Sequence, residues 1–267
     1  MSREQARGGA LLNPVDFGEL ASAWVDAKPF SHLVVDNFLN PDTALKIVEE
    51  FPAFDDKAWY VYNNPVELKK ALNNWDRFGP ATYHLFWHLN SEPFLRELEK
   101  LTHCRLYPDF GLNGGGLHSH RRGGKLNTHL DYSIHPKLGL ERRLNLLVYV
   151  TPGWQESWGG CLELWEGDGH NDRPVALIKS VAPVFNRAVL FDTTQNSWHG
   201  LPQPIACPPS VARNSVAVYY LCDRRPNADS RSRALFGPSK EQVGDPAVLE
   251  IIRKRASISD AASVYET

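Results

Sequence analysis

The residues with the greatest chemical capacity in this chain are His129 and Asp131, within Thr128-His129-Leu130-Asp131. On an extended backbone, residues i and i+2 project to the same face, so an imidazole nitrogen and a carboxylate oxygen can meet one cation. A third donor must come from a distant strand, and His199, in Asn196-Ser197-Trp198-His199-Gly200, is the candidate. Two histidines and one carboxylate on one side of a metal leave coordination positions open for small reactants. Alone, His-x-Asp is a weak signal, because such pairs commonly form a cap or a surface hydrogen bond.

Arg213-Asn214-Ser215 strengthens it. This triplet opens an apolar run, Val216 to Leu221, and Cys207-Pro208-Pro209-Ser210 supplies a return turn before it. The spacing predicts His199 and Arg213 on neighbouring antiparallel strands, offset by about 10–15 Å at about 3.4 Å per residue. Arginine grips a carboxylate bidentately and stays charged when buried. The bland alternative is a strand-end arginine paired to a surface acid. His118 and His120 form a second His-x-His pair, without a carboxylate at a matching offset. His32, His84, His88, His103, His135 and His170 read as surface or core residues.

Elements must hold these groups in place. Phe17, Leu20, Ala21 and Trp24 recur at helical spacing. Phe30 to Val35 reads as a strand, and Asn40-Pro41 starts a helix with Ala44, Ile47, Val48 and Phe51 on one face. Ser91 opens a further helix striped by Phe94, Leu95, Leu98 and Leu101. Between these two helices, Phe54 to Arg77 is aromatic and irregular, and reads as a loop that could fold over something. From about Tyr107, short apolar runs broken by Gly, Pro and Asn suggest a β-sandwich or barrel. Strands are expected near 126–129, 144–150, 161–165, 175–181, 188–191, 200–206 and 215–221. The tail is loop-like from Asn227, then helical around Pro246–Arg255. The domain reading is an N-terminal helical region with an entry strand (1–106), a β core (107–226) and a partly helical tail (227–267).

Composition sets limits. The chain has 267 residues, a formal net charge of −2, 42% hydrophobic and 22% charged residues. That balance offers no general attraction to nucleic acid or an anionic membrane. The doublets Arg121-Arg122, Arg142-Arg143 and Arg224-Arg225 read as solvated surface or local ion pairs. The N-terminus lacks the long apolar core of a signal peptide. Cys104, Cys161, Cys207 and Cys222 form no Cys-x-x-Cys pair, which fits a reducing cytoplasm.

His129-x-Asp131, His199 and Arg213-x-Ser215 together resemble the Fe(II)/2-oxoglutarate-dependent oxygenases of the prolyl 4-hydroxylase-like group. Arg142-Arg143-Leu-Asn-Leu-Leu-Val-Tyr-Val, Trp154 and Gly159-Gly160-Cys-Leu-Glu-Leu-Trp are similar to that group's central strands, and Phe30 to Leu39 to its entry strand. The likeness runs over roughly residues 28–223. It implies an α+β chain with a mainly β core, a double-stranded β-helix (jelly roll) carrying N-terminal helices. It implies His129, Asp131 and His199 as iron ligands, and Arg213 with Ser215 as the clamp on the distal carboxylate of 2-oxoglutarate. Tyr149 stands where relatives place a tyrosine that also meets that carboxylate, with Asn145 and Leu147 on its face; Tyr149 as plain core is the alternative. Relatives often carry a tyrosine on the strand before the metal motif, where this chain has Leu117-His118-Ser119-His120, and His118 is the chosen substitute.

The implied cofactors are Fe(II) and the cosubstrate 2-oxoglutarate, with ascorbate as an optional addition. The implied reaction consumes dioxygen, releases succinate and CO2 and hydroxylates a C–H bond of a protein residue, amino acid, carbohydrate or metabolite. Asp131 fills the position that related halogenases leave for chloride, which favours hydroxylation. Two rivals remain: a cupin-like metal enzyme that does not use 2-oxoglutarate, and a non-catalytic metal-binding sensing module. The partners expected are small molecules or a protein substrate, with neither nucleic acid nor membrane.

Overall fold

All but the first of the α-helices carry a proline in the first turn. In the computed structural model, α1 spans Ala21–Asp26, α2 Pro41–Glu50, α3 Pro80–Leu89, α4 Glu92–Thr102 and α5 Pro246–Ala256. The Asn40 side chain accepts the Asp42 N–H at 3.0 Å and Pro41 fills the first turn of α2. Helix α4 follows Ser91 as expected, although the serine hydroxyl makes no capping hydrogen bond. The structure describes all residues except 1–9, 169–172, 194–195, 258–259, 261–263 and 265–267. His170 lies outside the described residues.

The strands are β1 (His32–Val35), β2 (Tyr60–Asn64), β3 (Glu67–Leu72), β4 (Tyr107–Pro108), β5 (Gly116–His120), β6 (Lys125–Leu130) and β7 (Glu141–Tyr149). They continue with β8 (Leu162–Gly167), β9 (Pro174–Val181), β10 (Ala188–Asp192), β11 (Trp198–Leu201), β12 (Arg213–Cys222) and β13 (Leu235–Phe236). One layer runs β1-β10-β7-β12-β5-β3 and the other β6-β11-β8-β9. Strand β3 joins them, pairing with β5 through Lys70–Leu72 and with β6 through Glu67 and Leu68. All these pairings are antiparallel, and the curled product is the double-stranded β-helix of a mainly β core.

Period-two alternation decides which face carries chemistry. Leu144, Leu146 and Val148 of β7 and Val216, Val218 and Tyr220 of β12 point outward into a core shared with Ile47, Leu85, Phe86 and Leu98 of the helices. Each buried Leu or Val contributes roughly 1.5–3 kcal/mol. The alternate residues, among them Asn145, Leu147, Ser215 and Tyr219, line the interior cavity. Among the described residues no helix is long and apolar enough to cross a membrane.

Four sequence expectations change. Phe54 to Arg77 is not irregular: it holds the β2–β3 hairpin, whose turn forms because the Asn64 side chain accepts the Val66 and Glu67 N–H groups, each at 3.1 Å. Helix α1 starts at Ala21, later than the Phe17 stripe suggested, though Phe17 is buried. The strand expected over 200–206 runs Trp198–Leu201, because Pro202 and Pro204 cannot donate to a ladder. His199 and Arg213 are not on neighbouring strands. Strand β11 pairs with β6 and β8, whereas β12 pairs with β4, β5 and β7, so the two residues stand on facing layers and the offset along a ladder does not apply.

Candidate metal and anion site

Strands β6 and β11 place His129 directly opposite His199. Asp131 follows β6 by one residue and projects to the same side. One ligand atom from each of His129, Asp131 and His199 lies within 4.8 Å of the others, and all three residues are buried. Each histidine presents Nε2 at 3.7 Å from an Asp131 oxygen. Nδ1 of His129 lies 2.9 Å from the Asn127 carbonyl and Nδ1 of His199 lies 2.7 Å from the Ser197 carbonyl. A carbonyl can only accept, so each Nδ1 carries the proton and each Nε2 keeps its lone pair for a metal.

The rings are fixed as well as oriented. Phe236 of β13 stacks on His129 at 5.1 Å between centroids, and Phe191 of β10 packs edge-on to His199 at 4.7 Å. Gly200 permits the close approach of β11 to β6. A Cβ there would stand 2.8 Å from the Leu126 carbonyl oxygen and 2.9 Å from that of Asn127. Burial, then the neighbouring His129, pushes His199 down to about 4, so it is neutral in the physiological range.

Arg142, in a doublet that reads as solvated surface or local ion pairs, is not at the surface but almost fully buried, at 1% exposure, and ion-paired. Its guanidinium is sandwiched between the rings of Tyr132 and Tyr219, 3.4 Å from each centroid, and donates to the Asn113 carbonyl at 2.6 Å. Nη1 stands 3.4 Å from Asp131 Oδ1. Burial alone would raise the Asp131 carboxyl, but Arg142 and the two imidazoles outweigh it and hold the group well below the usual carboxylate range. Parity along β7 hides this arginine. The register passes from Tyr220–Leu144 to Leu221–Arg142, so Arg143 is an extra residue and the strand changes face at that bulge. Arg143, half-buried, pairs with Asp192.

The second half of the cavity is built by β5 and β12. His120 pairs with Arg213, and Ser215 stands between His118 on β5 and Tyr149 on β7. Arg213 is 3% exposed; its Nε donates to the Gly160 carbonyl at 2.7 Å and its guanidinium lies 4.7 Å over the Tyr149 ring. No carboxylate lies within ion-pair distance of it among the described residues, which is costly for a buried charge unless a ligand supplies the anion. Both His118 and His120 line the cavity, with Asn145, Leu147 and Ser215. Tyr149 lies behind Arg213, fully buried. Burial, then Lys69 and Arg213, pushes His118 down to about 3, and the same influences hold His120 well below its ordinary value.

The cavity, ≈ 480 Å³, runs without a break from the triad to Arg213. Sequence reasoning missed its outer wall. Arg255 of α5 donates from Nε to Glu67 Oε1 of β3 at 2.8 Å, and Ser232, Arg233, Ala234 and Phe236 line the same space. The triad offers two imidazole Nε2 atoms and a carboxylate, suited to Fe(II) with open positions. The Arg213 end offers a buried cation without an anion, suited to the far carboxylate of a dicarboxylic acid. The donor set therefore fits both Fe(II) and 2-oxoglutarate.

Comparison with known proteins agrees. Residues 115–221 match the 2OG-Fe(II) oxygenase superfamily. Prolyl 3-hydroxylase OGFOD1 of Mus musculus is 31% identical over 198 residues, covering 73% of this chain and 33% of that protein. The chain thus spans about a third of the length of that relative. The solved structure of a prolyl hydroxylase from Trichoplax adhaerens, in complex with a hypoxia inducible factor oxygen degradation domain peptide fragment, superposes with a TM-score of 0.56 at 14% identity, covering 77% of this chain and 89% of that one. The non-heme alpha ketoglutarate dependent epimerase SnoN from nogalamycin biosynthesis gives a TM-score of 0.50 at 12% identity, covering 84% and 86%. At these identities the two structures speak for the fold alone. Fe(II) and 2-oxoglutarate are the cofactors of that superfamily, and residues 115–221 of the chain belong to it as an Fe(II)/2-oxoglutarate-dependent oxygenase domain.

Proposed function

We propose that this protein is a hydroxylase in which His129, Asp131 and His199 hold Fe(II) and Arg213 anchors the distal carboxylate of 2-oxoglutarate. The observation that carries this reading is one buried cavity with three convergent ligand atoms at one end and an arginine without a carboxylate partner at the other. When bound, iron and 2-oxoglutarate supply the activation of dioxygen, with release of succinate and CO2. The chain's own residues bind, orient and exclude water. Asn127 and Ser197 fix the imidazole tautomers through their carbonyls. Ser215 offers a hydroxyl beside Arg213, while Asn145 and His118 shape the wall between the two ends. Tyr149 backs the arginine, and its hydroxyl has no partner among the described residues.

The division into 1–106, 107–226 and 227–267 serves as a working description, with the last stretch contributing pocket wall. A cytoplasmic setting is supported by four free cysteines. A prolyl residue is the first substrate to test, because the relatives bear prolyl hydroxylase names. Anaerobic titration with Fe(II) and 2-oxoglutarate should give the visible charge-transfer band of the chelate, and air should then release succinate. Absence of both would reject the oxygenase reading.

A further inference from the structure

The cavity is more cationic than its cofactors require. Among the described residues its lining carries five Lys or Arg side chains against two carboxylates, Glu67 and Asp131. Fe(II) and the 2-oxoglutarate dianion cancel, so the described residues leave the loaded site an excess of three positive charges. Arg213 and the metal account for both ends of 2-oxoglutarate, which has no third carboxylate to offer. Arg142 lies against Asp131 and Arg255 against Glu67.

Lys69 is the surplus cation with a fixed place. It follows the register of β3 onto the inner face, opposite Tyr62 of β2, with its side chain only 15% exposed. Its ammonium lies 4.8 Å over the Tyr62 ring. The one carboxylate within ion-pair distance of it among the described residues is Glu67, at 4.0 Å, with Asp131 farther off, and Glu67 already takes Arg255 at 2.8 Å. Burial lowers Lys69 from its ordinary value, the sign of an ammonium short of compensating charge. His120, next along the same face, is 3% exposed, and among the described residues neither ring nitrogen has a partner at full hydrogen-bond geometry, the Arg213 backbone being its nearest polar neighbour. A buried polar ring left this way marks space for a polar guest.

Resting on the hydroxylase reading, we infer that Lys69, beside His120, is the substrate-recognition residue of this site, and that the substrate presents a carboxylate to it. A free carboxylic acid and an acidic side chain of a peptide offer that same group. Arg233, exposed at the cavity rim, would guide either one inward through long-range attraction.

The test measures stimulation of succinate release by matched pairs: L-proline against L-prolinamide, and proline-containing peptides with Asp beside the proline against their Asn counterparts. The expected result is at least tenfold greater stimulation by the carboxylate member of one pair. The first pair winning identifies a free acid, the second a peptide. Lys69→Met should raise the KM for that compound at least tenfold and the KM for 2-oxoglutarate less than threefold, with Lys69→Arg recovering part of the loss. Equal stimulation within every pair, no stimulation by any carboxylate member, or a Lys69→Met effect confined to 2-oxoglutarate would each overturn the inference. Wild-type protein giving neither the chelate band nor uncoupled succinate would instead remove the hydroxylase reading beneath it.

Discussion

The two ends of the cavity are built on opposite terms. At the triad, every ring nitrogen not aimed at the metal position is taken up by a backbone carbonyl, and aromatic rings hold both imidazoles in place. At the other end, among the described residues, Arg213 has no carboxylate partner, and neither His120 nor the Tyr149 hydroxyl has a partner at full hydrogen-bond geometry. The first end is organised by the fold. The second is left incomplete by the fold, and on the proposed reading a ligand's charge completes it. Metal binding should therefore tolerate loss of the cosubstrate, while the anion end should gain its order from the cosubstrate.

Removing a ligand tests the organised end most severely. His129→Ala, Asp131→Ala and His199→Ala should each bring Fe(II)-dependent succinate release to background, a greater loss than the roughly 10–100-fold typical of an outer partner. Metal content and turnover, measured together, check this, and full activity in any one variant would strike that residue from the set. Zn(II), Co(II) or Ni(II) should occupy the same donors and inhibit.

Arg213→Ala attacks the incomplete end. Losing one side of a buried charge pair costs on the order of 2–5 kcal/mol, so the apparent affinity for 2-oxoglutarate should fall at least tens-fold while Fe(II) affinity holds. Arg213→Lys should rescue only in part, since a point charge lacks the bidentate fork. An unchanged KM for 2-oxoglutarate would contradict the clamp.

Arg142→Met should fall between the two in effect. The variant keeps a long side chain between Tyr132 and Tyr219 but strips a buried carboxylate of its cation, with a stability cost of up to about 3–5 kcal/mol. Chemical denaturation of metal-free protein would measure it, and added Fe(II) should recover much of the loss by supplying charge to Asp131.

Acid should expose the same asymmetry more gently. His118, held at about 3 by burial and its cationic neighbours, stays neutral in the fold while the unfolded chain protonates below about pH 6.5. Its contribution is thus fully present above pH 6.5 and is lost as pH falls from there toward 3, by a few kcal/mol at most on the order-of-magnitude linkage scale. His118→Asn should flatten the acid limb of stability against pH, and bound 2-oxoglutarate should steepen no part of it.

The smallest expected effect concerns the β2–β3 hairpin. Strand β3 is paired on both edges along its length, whereas β2 is paired with β3 alone. Hydrogen exchange should find β3 protected with or without substrate, and β2 slowed only when substrate is present. Equal protection of both would make the hairpin plain scaffold.

How much of this was legible in the chain follows from which rule each residue obeys. His129 and Asp131 were readable because i and i+2 share a face on any extended backbone. Arg213 was readable because an arginine opening an apolar strand stands out. Arg142 was not, because the bulge at Arg143 reverses parity and sequence periodicity has no sign of it. Lys69 and Glu67 were missed because β3 turns its polar face toward a cavity, leaving no apolar alternation to register. Arg255 meets Glu67 across 188 positions of chain, and no local pattern foretells such a pairing. The facing, rather than adjacent, strands of His199 and Arg213 were lost for the same reason, since a turn signal says the chain reverses without saying into which layer.

Gly200 carries a consequence for how such chains are sorted. The gap between β11 and β6 is set by a hydrogen atom, where a methyl group would press on two carbonyl oxygens at 2.8 and 2.9 Å. A chain with every donor intact but alanine at this position would separate the two imidazoles and forfeit the ion. It would look like an enzyme by its inventory and behave as a pseudoenzyme. In sorting relatives, the residue to inspect beside the second histidine is therefore the one that here has no side chain.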